Sequence, residues 1–228
     1  MGYFDASGTW HDETAKLPSR LNGADVIWFG DSNIYNSAGH TLADLGSWYE
    51  RFEAEFGLNG WVNNGVNGLN TYQVSVKFAE WATDELAQRY NKESTFLLFW
   101  CGTNDKAEKW FVGETAALDY AQYIQNISRI IEEKFPKAFY AFFIPPATDW
   151  SVWTGSTEPD DRNMKEKVPY IIDALETCNF PYCDMYHQSG ITTAMLPDGI
   201  HLGGGGTDYT TDAAYRAYRT IRNYLINK

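Results

Sequence analysis

Val26-Ile27-Trp28-Phe29-Gly30-Asp31-Ser32-Asn33 runs from a strand straight into a turn. Four apolar residues in succession, with no polar alternation, read as a strand covered on both faces, as parallel strands are. The glycine stops the run, so Ser32 falls on the first turn beyond the strand. Working outward, short apolar runs of the same kind recur at about 60–64, 95–101, 138–144 and 181–186, with the first strand at about 25–30. Between them, apolar residues return at spacings of three and four, the period of a helix face. These stripes run from Leu42 to Phe56, Val76 to Tyr90, Leu118 to Ile131, Met164 to Leu175 and Ala214 to Leu225, the third stopped near Pro136. Alternating strands and helices predict an α/β fold: a three-layer α/β/α sandwich around a parallel sheet of about five strands. The expected strand order is flavodoxin-like, 2-1-3-4-5.

Length and composition agree with one domain over residues 1–228, of which 1–24 form an irregular leading segment. The 44% hydrophobic and 16% aromatic content is ample for a packed core. The formal net charge of -12 argues against nucleic acid or an anionic membrane as partner. No apolar stretch reaches the length of a membrane span. No basic n-region followed by an apolar h-region is visible at the start. That leaves a cytoplasmic, a virion-associated or a mature secreted form open, and leaves the oligomeric state open. Cys101 lies in an apolar run and reads as core, while Cys178 and Cys183 are able to pair only in an oxidising compartment. The stretch 145–163 after the fourth strand reads as a long loop, and loops of that length in compact domains are usually functional or disordered. Trp150 and Trp153 within it argue against simple disorder.

Ligands of open α/β sheets bind beyond the carboxyl ends of the strands, and chemically capable residues fall there one after another. Ser32 follows the first strand and Gly68 the second. Asn104 follows the third, and Asp198 and His201 follow the last. A serine hydroxyl needs a base, and the base needs an orienting carboxylate. His201 and Asp198 are the pair for those roles. An oxyanion would need donors already in place: the N–H groups of Ser32 and Gly68, with the Asn104 amide as a third. Gly65 is the other glycine available for the second place. Asp31 and Asp105 read as structural hydrogen-bond partners. The elbow G-x-S-x-G is absent, because Ile34 stands where its second glycine belongs, which argues against an α/β-hydrolase fold.

Four blocks, FGDSN, GVNGLNT, WCGTND and LPDGIH, resemble the motifs of the SGNH (GDSL) hydrolase superfamily, in that family's order and across nearly the whole chain. The resemblance implies hydrolysis of esters, often acetyl or other acyl groups on sugars, lipids or small alcohols. It also implies that no metal and no cofactor take part. Asn33 after the serine and Leu69-Asn70 before Thr71 depart from the common pattern, as does the glycine run 203–206.

The reading is therefore a serine esterase for small-acyl esters, with an O-acetylated carbohydrate as the expected substrate. Trp150 and Trp153 are candidates to stack on a sugar ring, or alternatively to hold a fatty acyl chain as a lipase or thioesterase would. Trp110 is a further candidate for the substrate pocket or for the core, next to Phe111. A non-catalytic carbohydrate-binding module on the same fold is the reading from another class. His11, beside Asp12 and Glu13, lacks a metal-ligand set, and His40 and His187 read as surface or loop residues.

Overall fold

A computed structural model describes residues 2–4, 10–12, 20–35, 48–106, 116–155, 162–203 and 212–227. Two short strands, β1 (Gly2–Phe4) and β2 (Trp10–Asp12), pair antiparallel within the leading segment that showed no periodicity. The main sheet holds β3 (Asp25–Gly30), β4 (Gly60–Gly65), β5 (Thr95–Trp100), β6 (Phe139–Ile144) and β7 (Tyr182–Asp184). All are parallel, in the order β4-β3-β5-β6-β7, which is the expected 2-1-3-4-5.

The continuous apolar runs arise because alternate side chains enter two different cores. Val26 and Trp28 of β3 join Phe96, Leu98 and Trp100 of β5 on one face. Ile27 and Phe29 join Leu97 and Phe99 on the other. The first face is covered by α2 (Trp48–Phe56), through Trp48 and Phe52, and by α9 (Ala213–Ile226), through Ala214, Ala217, Ile221 and Leu225. The second is covered by α3 (Thr71–Trp81), α5 (Ala116–Lys134) and α7 (Met164–Thr177). Phe99 is fully buried and stacks on Phe29 at 5.4 Å. Cutting such a side chain to alanine costs about 3–5 kcal/mol, a large share of a domain's whole stability.

Several elements differ from the sequence expectation for identifiable reasons. The stripe from Val76 to Tyr90 is two helices, because Ala82 leaves the helical conformation and the Thr83 hydroxyl accepts the Leu86 N–H to start α4 (Asp84–Tyr90). Helix α3 begins upstream of that stripe, at Thr71, where Asn70 and Gln73 cap each other reciprocally. The long loop after β6 contains a helix, α6 (Trp150–Thr154), capped by Asp149. The last strand is shorter than expected and passes at once into α8 (Met185–Gln188). Leu42 and Leu45 lie outside the described residues. Among the described residues, no helix is long and apolar enough to cross a membrane.

Candidate active site

Ser32 opens the four-residue helix α1 (Ser32–Tyr35), directly above the end of β3. The turn is held from below. Asp31 N–H donates to Trp100 O of β5, and the Asp31 carbonyl accepts the N–H groups of Ile34 and Tyr35. Buried Asp31 also accepts the Asn33 N–H at 2.9 Å. Helix α1 can sit against the end of β4 only because Gly65 has no side chain, since a Cβ there would stand 2.3 Å from Tyr35 N.

The histidine arrives from the other end of the chain. Asp198 Oδ1 accepts the N–H groups of Ile200 and His201, at 3.0 and 2.8 Å, which winds residues 198–201 into a tight turn. Its other oxygen, Oδ2, lies 2.6 Å from His201 Nδ1. Partial burial pushes the Asp198 carboxyl up, but the His201 N–H and ring and the Ile200 N–H together hold it below the usual range. An ionised carboxylate only accepts, so Nδ1 carries the ring proton and Nε2 offers its lone pair. His201 Nε2 stands 2.8 Å from Ser32 Oγ.

Two contacts fix this loop. Asn33 Oδ1 accepts the Leu202 N–H at 3.2 Å, tying α1 to the histidine turn. That contact accounts for a polar residue after the serine. On the other side, Gly199 (φ +80°) packs on α6, where a Cβ would stand 2.3 Å from Asp149 O. The Asp149 N–H donates to the Gly199 carbonyl across the same contact.

Gly68 and Asn104 follow β4 and β5, the two strands that flank β3. Gly68 has φ +77°, and the carbonyl of its neighbour Leu69 accepts from Asn104 Nδ2 at 2.9 Å. An amide nitrogen carries two hydrogens, so this bond positions Asn104 and leaves it a second donor. Gly65, the alternative glycine, instead spends its N–H on Asn63 Oδ1 at 2.8 Å, inside the sheet edge. Among the described residues, neither the Ser32 nor the Gly68 N–H donates to a protein acceptor.

Lys167 escaped the sequence reading. It is fully buried on α7, and its ammonium donates to the carbonyls of Gly102, Thr103 and Asp105 at 2.6, 2.8 and 2.9 Å. The signal was present: position 167 lies three residues after Met164 and four before Ile171, on the apolar face, where a lysine is out of place. Asp105, also buried, accepts both the N–H and the hydroxyl of Thr71 at 2.9 Å. Burial pushes its carboxyl up to about 7, against the pull of the Lys167 charge and the Thr71 donors. Asp31 and Asp105 thus serve as hydrogen-bond partners of the backbone around the site.

The two tryptophans part company. Trp150 is only 8% exposed. Its indole N–H donates to Thr103 O, and the Arg162 guanidinium covers its ring at 4.1 Å. The expectation that Trp150 contacts substrate is therefore corrected: it is the inward residue of α6, filling the space behind the 102–105 turn. Trp153, one helical turn on, is 57% exposed and stands edge-on to the His201 ring at 5.8 Å. Trp110, Phe111, His40 and most of the 203–206 glycine run lie outside the described residues. Cys101, Cys178 and Cys183 form no disulfide with one another. No cluster of three or more histidine, cysteine or carboxylate side chains able to hold a metal occurs among the described residues.

Comparison with solved structures places the fold. A protein from Lactobacillus plantarum superposes with a TM-score of 0.66 at 14% identity, over 90% of this chain and 97% of that one. An acetyl xylan esterase gives 0.60 at 15% identity, over 89% and 100%. A GDSL-like lipase from Bacteroides thetaiotaomicron gives 0.55 at 16% identity, over 89% and 88%. The chain has the fold of GDSL-type hydrolases. No protein-family model and no curated protein sequence matches it.

Proposed function

We propose that this protein is a serine esterase that cleaves small-acyl esters through an acyl-enzyme. The observation that carries the reading is the unbroken hydrogen-bonded line Asp198–His201–Ser32, at the carboxyl end of β3. Ser32 Oγ attacks the ester carbonyl while His201 Nε2 takes its proton. The tetrahedral oxyanion is met by the Ser32 and Gly68 N–H groups and the Asn104 amide. The ester C–O bond breaks, and His201 returns the proton to the departing alcohol. A water then repeats the sequence on the acyl-serine, losing a proton to His201 and releasing the acid. Asp198 stabilises the imidazolium in both halves without taking the proton. Only protein groups, water and substrate enter these steps.

An O-acetylated carbohydrate is the proposed substrate. The support is Trp153, whose exposed ring stands beside His201 where the alcohol of a bound ester would leave. The acetyl xylan esterase among the structures of like fold points the same way. The test is an acyl-chain series of p-nitrophenyl esters run beside acetylated xylan, with acid release measured for each. The expected result is fastest turnover on acetyl esters and acetate release from the polysaccharide, both abolished by Ser32→Ala. A preference rising with chain length would move the protein to the lipases, and no release from any ester would overturn the esterase reading.

A further inference from the structure

We infer that Lys167 is a positioning residue for Asn104: its buried ammonium gathers the carbonyls of the 102–105 turn and so sets the amide that faces the reacting ester. The inference rests on the esterase reading, in which Asn104 is an oxyanion donor.

A lysine on the apolar face of a core helix is unfavourable unless its charge is matched and its donors are used. Here an ammonium with three N–H donors meets three carbonyl oxygens, those of Gly102, Thr103 and Asp105. Three carbonyl dipoles aimed at one point repel one another, so the turn holds this shape because a cation occupies its centre. The one carbonyl of the turn outside this set belongs to Asn104, whose side chain reaches away to Leu69 O. A second strap acts from the far side. The Asp105 carboxyl accepts both Thr71 donors and so fastens the turn to the first residue of α3, just beyond the Gly68–Leu69 segment. Trp150 adds a further bond to Thr103 O. Asn104 is thus held between two buried polar anchors, while Lys167 itself touches no reacting atom.

The consequence is catalytic because an oxyanion donor acts only if it is in place before charge develops. A displacement of about 1 Å costs on the order of 10²-fold in rate. Removing the cation frees the turn, and the amide must then be ordered during each turnover.

The test is a double-mutant cycle with p-nitrophenyl acetate as substrate. Asn104→Ala should lower kcat about 10²–10³-fold with little change in KM, as loss of one such donor does. Lys167→Met, which keeps the stem and removes the donors, should lower kcat about 10-fold or more at nearly constant KM. In the Asn104→Ala background the same substitution should change kcat less than about 2-fold, because the group it positions is gone. Lys167→Met also removes the cation that pulls on the Asp105 carboxyl, so the Lys167 step is read as well in an Asp105→Asn background, where that carboxyl is absent. A normal kcat for Lys167→Met, or an equal loss with and without Asn104, overturns the positioning role alone. A normal kcat for Asn104→Ala overturns the oxyanion assignment and the positioning role with it.

Discussion

Among the described residues, an aspartate in two places accepts the N–H of the histidine three residues on and holds its ring: Asp184 with His187, and Asp198 with His201. The ring contacts are the same, Nδ1 to Oδ2 at 2.6 Å in both. The N–H bonds differ little, at 3.2 and 2.8 Å. The settings differ greatly. His187 stands where β7 leaves the edge of the sheet, three places from β3. Its side chain is 58% exposed, and its ring lies edge-on to Tyr186. His201 is 26% exposed and presents Nε2 to a serine 169 residues away in sequence. An aspartate and a histidine at this spacing make an oriented imidazole by themselves. What makes one of the two pairs a candidate base is a long-range contact, built by the crossover order of the sheet and by the Asn33–Leu202 tie.

The largest expected effect separates the pairs directly. His201→Ala should lower kcat on p-nitrophenyl acetate by about 10⁴ or more, whereas His187→Ala should stay within about 2-fold of the parent. Comparable losses from both substitutions would erase the distinction.

The tryptophans of α6 sharpen it at the substrate. Trp153→Ala should raise KM for an acetylated oligosaccharide several-fold and leave p-nitrophenyl acetate almost unaffected, because only remote binding is lost. Trp150→Ala should instead lower the melting temperature, since removing a buried tryptophan costs about 3–5 kcal/mol. If Trp153→Ala and Trp150→Ala affected both substrates equally, Trp153 would have no part in recognition.

The smallest effect concerns the two carboxylates that hold the site, whose shifts oppose each other. Asp105 is raised to about 7 in the folded protein, against about 3.9 unfolded. The folded state therefore binds this proton more tightly. The stability it contributes is complete below about pH 4 and is lost as pH rises through about 7. Asp198 is lowered, so its contribution is present above about pH 4 and is lost as pH falls through its folded value. Melting temperatures between pH 5 and 8 should fall less steeply with rising pH in Asp105→Asn than in the parent. Equal slopes would show that Asp105 does not titrate in that range.

The fold was legible because parallel strands buried on both faces leave continuous apolar runs, and because their exits line one edge of the sheet. Ser32, Gly68, Asn104, Asp198 and His201 fell at those exits in chain order; the folded chain links Asp198, His201 and Ser32 by hydrogen bonds and ties Asn104 to Leu69 beside Gly68. Trp150 and Trp153 were not separable in advance. Their positions relative to the core depend on a five-residue helix, too short to show a periodic stripe. Asn33 was visible as a departure from the common pattern, but its purpose depends on Leu202, which only the folded chain brings near. Lys167 was hidden differently: reading the α7 stripe by its apolar members alone passed over the charged residue among them.

The central claim is that Ser32 is the nucleophile, and covalent capture tests it most directly. A fluorophosphonate probe incubated with the protein should add one phosphonyl group, located at Ser32 by peptide mass spectrometry. Ser32→Ala should remain unmodified, and His201→Ala should label far more slowly. Equal modification of the parent and Ser32→Ala, or none in the parent while it still releases acetate, would contradict the account.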